Sequence, residues 1–144
     1  MRKLNVLLLS MVTAIAAVGC TTMNVRPVDS SIKPGHICIK ENPLVRVDDF
    51  VEVLRDGLNR HNMTSEIFAD KTPERCTCVL TYTALRYWDL VPYMYYAELR
   101  IEKDGKEVGY AEYRLVGRGG FSLMKYQGTK AKLDPVIDEL FKSR

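Results

Sequence analysis

Hydrophobic and polar positions alternate along much of the chain after residue 35, which is the pattern of half-buried strands. A short alternating run covers 36–40, where Ile37 and Ile39 flank Cys38, and a second covers 64–69. Three longer runs follow at 77–88, 93–103 and 106–116. Turn-forming residues separate the long runs, so they are expected to pair as an antiparallel meander.

Two stretches have apolar residues at helical spacing instead. The first is 49–61, where Gly57 is expected to permit close packing on the sheet at a helix-propensity cost of about 1 kcal/mol. The second is near the C-terminus, and its start is open: Thr129 could cap a helix that contains Pro135, or Asp134 could cap one with Pro135 at its first position. Its apolar positions are Leu133, Val136, Ile137, Leu140 and Phe141.

The predicted order is therefore β-α-β-β-β-β-α. Two amphipathic helices and one sheet, each with a single apolar face, bury those faces best against each other. We expect an α+β fold, a two-layer sandwich in which a mostly antiparallel sheet carries both helices on one face. The length of 144 residues suits a single domain.

The hairpin between the last two long strands can be assigned by parity. A three-residue loop of Lys103, Asp104 and Gly105 would pair Leu99 with Gly109 and separate apolar from charged side chains. The inner face would then carry Tyr95, Ala97, Leu99, Ala111, Tyr113 and Leu115. The outer face would carry Tyr96, Glu98, Arg100, Tyr110, Glu112 and Arg114.

The N-terminus has the features of an export signal. Arg2 and Lys3 precede an apolar stretch at 6–18, which is too short to span a bilayer comfortably. Ala17-Val18-Gly19-Cys20 resembles the lipobox of bacterial lipoproteins, which implies cleavage before an acylated Cys20 and anchoring by lipid. Because Thr follows Cys20 where inner-membrane retention usually has Asp, the resemblance implies the periplasmic face of the outer membrane. The expected organisation is a signal peptide at 1–19, a lipidated tether at 20–35 and one periplasmic domain at 36–144.

Processing also changes the charge. The chain has 21 Lys and Arg against 18 Asp and Glu, and removal of Arg2 and Lys3 leaves 19 cations and a net charge of +1. Such a balance gives no electrostatic basis for binding nucleic acid, so none is expected as a partner.

Three cysteines remain for the oxidising periplasm: Cys38, Cys76 and Cys78. Cys76 and Cys78 are too close in sequence for an unstrained bridge on one strand, so a long-range bridge from Cys38 to one of them is favoured. A metal site that combines these thiols with His36 or His61 has the wrong spacing for a zinc knuckle. We therefore expect a disulfide, no metal and no cofactor.

No catalytic residue is assigned. Glu98 and Glu112 could act as a carboxylate pair, but Arg100 and Arg114 share their face, which favours a solvated charge ladder. The outer sheet face also carries tyrosines, and amphipathic aromatic surfaces are typical of interfaces. The predicted partner-binding residues are Tyr87, Tyr96, Tyr110, Arg100 and Arg114.

The chain contains several short motifs: Tyr82-Thr83-Ala84, Tyr87-Trp88-Asp89, Ala97-Glu98-Leu99, Ala111-Glu112-Tyr113, and Lys125 with Thr129, Lys132 and Asp134-Pro135. They resemble those of a widespread group of small gammaproteobacterial lipoproteins, and the order of elements is similar to that of small outer-membrane lipoproteins that assist envelope assembly, such as the lipopolysaccharide-assembly lipoprotein. The resemblance implies export, lipidation and one domain, but no active site. We expect a non-enzymatic adaptor that binds an envelope protein or glycan. The alternatives are a cell-wall or lipid hydrolase and a structural lipoprotein that forms disulfide-linked dimers.

Overall fold

A computed structural model describes residues 21–142, which form one mixed sheet covered by two helices. The predicted signal peptide and the predicted acylation of Cys20 lie outside these residues. Within 21–142, no helix is both long and apolar enough to span a bilayer. The strands are β1 (Thr21–Arg26), β2 (His36–Lys40), β3 (Thr64–Phe68), β4 (Cys78–Asp89), β5 (Val91–Lys103) and β6 (Lys106–Leu115). The helices are α1 (Phe50–Arg60) and α2 (Thr129–Leu140), with short 3₁₀ segments at Val116–Gly119 and Leu123–Tyr126.

The six strands lie in the order β1-β6-β5-β4-β2-β3. The antiparallel meander of β4, β5 and β6 is confirmed. Strand β2, however, is parallel to both of its neighbours, β3 and β4. The connection from β2 to β3 contains α1, and a crossover helix is what parallel pairing requires. The fold is therefore α+β as expected, with a mixed sheet.

Both helices contribute to a single core on the inner face of the sheet. Leu54 and Leu58 of α1, and Leu133 and Ile137 of α2, are fully buried and belong to the same cluster as Leu99 of β5. The apolar spacing of the two sequence stretches thus corresponds to the buried faces of the helices.

Part of the expected tether belongs to the sheet. Thr21–Arg26 forms the edge strand β1, paired with β6 in antiparallel register. The chain then turns inward, where the backbone N–H of Val28 donates to the carbonyl of Leu140 at 2.9 Å. Val28 packs directly against Gly109: a Cβ added to Gly109 would lie 2.6 Å from Cγ2 of Val28. The sheet thus includes residues upstream of residue 36.

Gly57 does permit close packing, but against α2 and not against the sheet. A Cβ at this position would lie 2.6 Å from Cδ1 of Ile137. Helix α2 itself starts at Thr129 and contains Pro135, as in the longer of the two alternatives, although its N-cap is Gly128 and not Thr129. Pro135 is exposed, and the packed opposite face of α2 compensates for the hydrogen bond that proline cannot donate.

The hairpin between β5 and β6 has a different register from the predicted one. Asp104 and Gly105 both have positive φ, as a two-residue type I′ turn requires, and Lys103 pairs with Lys106. The register shifts beyond Ile101, where Val108 is the extra residue, so Leu99 pairs with Ala111 and not with Gly109. A loop shorter by one residue would exchange the two faces of one strand relative to its partner, and the extra residue of the bulge reverses that exchange. The predicted faces therefore hold for all the assigned residues except Tyr95.

Candidate functional site

The outer face of the sheet carries a short repeat that the register makes symmetric. Tyr-Ala-Glu-Leu-Arg at 96–100 on β5 and Tyr-Ala-Glu-Tyr-Arg at 110–114 on β6 have the same polar residues at the same spacing. The strands are antiparallel and Glu98 pairs with Glu112, so a local twofold axis relates the two segments. We refer to the six outward side chains as the Tyr-Glu-Arg ladder: Tyr96, Glu98, Arg100, Tyr110, Glu112 and Arg114.

Two hydroxyls and two carboxylates meet at the centre of the ladder. The Tyr96 hydroxyl lies 2.9 Å from Oε2 of Glu98, and the Tyr110 hydroxyl lies 3.0 Å from Oε2 of Glu112. The crossed distances, Tyr96 to Glu112 and Tyr110 to Glu98, are 3.4 and 3.3 Å. Because each hydroxyl carries one proton, each can donate fully to one carboxylate, and the shorter pair of contacts is the better one.

The arginines close the ladder from both sides. Arg100 donates from Nε to Glu98 at 2.8 Å and its guanidinium carbon lies 4.9 Å from the centre of the Tyr110 ring. Arg114 lies 3.3 Å from Glu112 and 5.2 Å from the Tyr96 ring centre. Each guanidinium therefore pairs with a ladder carboxylate and stacks on the tyrosine of the other strand, and Arg100 also donates to Glu107 at 2.9 Å. The centre of the outer face is thus internally neutralised.

Contacts within the ladder shift the pKa values of Glu98, Tyr96 and Tyr110. The hydrogen bond from Arg100, together with those from the two tyrosines, lowers the pKa of Glu98 despite its partial burial. Burial and the adjacent carboxylates raise the pKa of Tyr96 and raise that of Tyr110 to about 12. At neutral pH both tyrosines are protonated and Glu98 is ionised. This is the opposite of the raised carboxyl pKa that a glycosidase general acid needs.

An open pocket of about 500 Å³ adjoins one end of the ladder. A bulge in the pairing of β4 with β5 makes Tyr95 the extra residue between partners of Leu85 and Arg86. Tyr95, predicted on the inner face, is consequently half-buried and lines the pocket beside outer-face residues. The full lining is Leu85, Tyr95, Tyr96, Arg114, Leu115, Gly117 and Arg118.

Arg118 is the unpaired charge of this pocket. Its guanidinium carbon lies 4.4 Å from the ring centre of Tyr87 and 5.9 Å from that of Tyr95. Unlike Arg114, it has no carboxylate within 4 Å among residues 21–142. A positive φ of 54° places it in a left-handed turn that returns the chain after β6 toward the β4–β5 hairpin. The pocket therefore offers aromatic edges and one free guanidinium.

The predicted partner-binding residues fall into two groups. Tyr96, Tyr110, Arg100 and Arg114 come together in the ladder. Tyr87 is separate, in the part of β4 beyond the bulge, where its ring meets that of Tyr95 edge-on at 6.5 Å. Only Tyr96 and Arg114 contribute to both the ladder and the pocket.

Three cations in or near the pocket were not predicted as site residues from the sequence. Arg118 lines the pocket, while Lys125 and Lys132 are buried with 6% and 2% exposure. Lys132 donates from Nζ to the carbonyl of Met94 at 2.8 Å, and burial lowers its pKa to about 8. The sequence signal was a cation within an otherwise apolar stripe of α2, since Lys132 adjoins Leu133 and precedes Val136 by four residues.

The cysteines form one disulfide, between Cys38 and Cys76, so the expectation of a bridge from Cys38 is confirmed. Cys78 is buried in the core with 3% exposure. His36 and Glu66 lie near Cys38, but a sulfur in a disulfide cannot act as a thiolate ligand. His61 is elsewhere, with Nε2 at 2.9 Å from Asp138. The buried Cys78 thiol also argues against the disulfide-linked dimer.

The fold is similar to that of two solved structures of PelC from Paraburkholderia phytofirmans. A PelC dodecamer has a TM-score of 0.54 at 12% sequence identity, covering 83% of this chain and 95% of that one. A dodecamer of a PelC variant has a TM-score of 0.51 at 11% identity, covering 85% and 98%. No family model and no curated protein sequence matches the chain. At these identities the likeness is one of fold, and it extends over nearly the whole length of PelC.

Proposed function

We propose that this protein is a non-enzymatic periplasmic lipoprotein that binds an acidic glycan of the cell envelope at the pocket beside the Tyr-Glu-Arg ladder. Acylation of Cys20 would hold it on the periplasmic face of the outer membrane. The observation that carries the proposal is the pocket itself: Tyr95 and Tyr96 line it, and Arg118 has no ion pair within the described chain. Sugars pack on aromatic surfaces, and a planar guanidinium recognises a carboxylate.

The rest of the outer face supports binding without catalysis. Glu98 is held ionised by Arg100, and the two tyrosine hydroxyls are already hydrogen-bonded to the ladder carboxylates. Glu98 is therefore not available as a proton donor to a glycosidic oxygen. The fold similarity to PelC dodecamers also makes assembly of several copies a reasonable expectation, which would repeat the pocket along an extended polymer.

The test compares an acidic with a neutral oligosaccharide of equal length. Binding of oligogalacturonate and of a malto-oligosaccharide to the Cys20→Ser protein would be measured by isothermal titration calorimetry. We expect binding of the acidic oligosaccharide only, weakened roughly tenfold by Arg118→Gln, which corresponds to loss of one charge-assisted hydrogen bond.

The local twofold axis supplies matched controls. Tyr96→Ser and Arg114→Gln change pocket residues, whereas Tyr110→Ser and Arg100→Gln make the same changes at the symmetry mates outside the pocket. We expect the first pair to weaken glycan binding and the second pair to leave it within about twofold. Equal effects of both pairs, or capture of an envelope protein without any glycan affinity, would reject the glycan proposal.

The lipid anchor has its own test. Incorporation of labelled palmitate in cells, abolished by Cys20→Ser, together with recovery in outer-membrane fractions, is the expected result. A protein that retains residues upstream of Cys20 and carries no acyl chain would contradict the anchor while leaving the pocket untouched.

A further inference from the structure

One end of the molecule is unusually apolar. It consists of the tip of the β4–β5 hairpin and the segment after β6, and we call it the apolar end. Trp88 and Leu90 at the hairpin tip are 68% and 78% exposed, and Phe121 and Leu123 in the following segment are fully and 80% exposed. Scattered exposed apolar residues are ordinary, but a contiguous group of large ones indicates a surface that is covered in function. Its remaining members are Val91, Val116 and Met124.

The two halves of the apolar end are held together by partly buried polar contacts. Nζ of Lys125 lies 2.5 Å from Oδ2 of Asp89 and 2.8 Å from the carbonyl of Gly120. The hydroxyl of Tyr126 donates to the carbonyl of Asp89 at 2.9 Å. Asp89 lies between Trp88 and Leu90, while Gly120 and Lys125 enclose Phe121 to Met124 in sequence. These bonds therefore hold both groups of exposed side chains on one surface.

Leu90 is an unfavourable residue for its position in two respects. Its φ of 64° lies in the left-handed region, which hairpin turns normally fill with Gly, Asn or Asp. Its side chain is also mostly exposed to water. Transfer of the exposed leucine side chain into an apolar phase would offset the cost of this backbone conformation.

The chain enters the described domain at this same end. Thr21 pairs with Leu115, which immediately precedes Val116 of the apolar end. Cys20 is the residue immediately before Thr21 in the sequence. If Cys20 is acylated, as the proposed function holds, its acyl chains start within reach of the apolar end.

The charge of this end fits an anionic lipid surface. Arg118 has no ion pair within residues 21–142, while the carboxylate of Asp89 is bound by Lys125. Cations beside exposed apolar side chains are typical of surfaces that bind the interface of a bilayer containing anionic lipids.

We propose that the apolar end inserts into the headgroup region of the bilayer beside the lipidated N-terminus. The domain then stands on the membrane in one orientation instead of moving freely on its anchor. Trp88 and Leu90 on the hairpin, with Phe121 and Leu123 on the following segment, enter the interface. Arg118 faces lipid phosphates at its edge.

Trp88 is the only tryptophan of the chain and therefore reports directly on this contact. Acylated protein would be reconstituted into vesicles of phosphatidylethanolamine and phosphatidylglycerol, with bromine carried either near the headgroups or near the chain ends. We expect Trp88 emission to shift to the blue relative to the Cys20→Ser protein in buffer, and to be quenched more strongly by the shallow bromines. Protein that floats with the vesicles but shows neither effect would overturn membrane docking and leave the anchor intact.

A second measurement uses the unacylated Cys20→Ser protein with the same vesicles. Leu90→Asp combined with Leu123→Asp should weaken partitioning roughly tenfold or more, because two apolar side chains no longer enter the bilayer. Ile67→Asp is the control, since Ile67 is 47% exposed and lies on β3, the edge strand at the opposite side of the sheet from β1 and two strands from β4. Equal loss with the control, or a Leu90 and Leu123 variant that instead changes the oligomeric state in solution, would reject the bilayer as the occupant of this surface.

Discussion

The bond between Cys38 and Cys76 gives the strongest quantitative prediction about stability. It connects β2, an internal strand, to the segment that leads into β4, across a sequence separation of 38 residues. Closing a loop of that length lowers the entropy of the unfolded chain by an amount worth about 4 kcal/mol at 25 °C. Small domains are stable by about 5–15 kcal/mol in total, so the bond supplies a substantial part of the margin.

The assay is urea unfolding of the Cys20→Ser protein, followed by circular dichroism. Replacing Cys38 and Cys76 together by Ala, or reducing the unmodified protein, should lower the midpoint by roughly 2 M at the m-values usual for a domain of this size. Cys78→Ala is the control, because it removes a buried thiol without opening the loop and should cost only about 1 kcal/mol. Alkylation after unfolding without reductant should label Cys78 alone among these three.

Two outcomes would refute this reasoning. Reduction that leaves the midpoint unchanged would mean that the loop is not covalently closed or that the unfolded chain gains little freedom. A loss as large with Cys78→Ala as with the double variant would assign the effect to core packing and not to loop closure.

Two further predictions concern the helix interface and the buried lysine. Gly57→Ala should lower the free energy of unfolding by about 1 kcal/mol in urea melts, because the clash of its Cβ, 2.6 Å from Cδ1 of Ile137, outweighs the gain in helix propensity. Ile137→Val removes that Cδ1 methyl group. The variant that carries both substitutions should therefore lose less stability than the sum of the two single variants. Burial lowers the pKa of Lys132 in the folded protein to about 8, below its value in the unfolded chain. Above pH 8 the unfolded chain therefore binds more protons at Lys132 than the folded protein does, so Lys132 makes Tm rise between about pH 8 and 9.5. Lys132→Met should abolish that rise, and a pH profile identical to that of the unmodified protein would contradict it.

The alternation of apolar and polar residues was sufficient to predict the central elements of the fold. Strands β4 to β6 and both helices each bury one face, and burial is what creates the periodic pattern. Strand β1 escaped prediction because its six residues remain largely exposed and it is held by backbone pairing to β6, a contact distant in sequence. The parallel placement of β2 likewise depends on long-range pairing that no local pattern encodes.

Register and site geometry were harder to predict for a related reason. A two-residue turn with a bulge and a three-residue loop give the same alternation on β5 and β6, so parity alone could not distinguish them. The repeated Tyr-Ala-Glu sequence is visible in the chain, but its symmetry requires the pairing of Glu98 with Glu112. Tyr95 and Arg118 reach the pocket through a bulge and a left-handed turn, and both are irregularities that hydrophobic periodicity does not report.

The two proposed surfaces place constraints on each other. Leu90 at the hairpin tip lies five positions along the chain from Leu85 in the pocket, which corresponds to about 16 Å of extended chain. If the tip enters the headgroup region, the pocket lies close above the bilayer and opens toward molecules at its surface. Arg118 stacks on Tyr87 at the boundary between the two surfaces, and so it could serve a glycan carboxylate or a lipid phosphate but not both at once. Glycan affinity measured on vesicle-bound protein should therefore fall as the proportion of anionic lipid in the vesicles rises. The unacylated protein, measured without vesicles, gives the reference affinity in the absence of this competition.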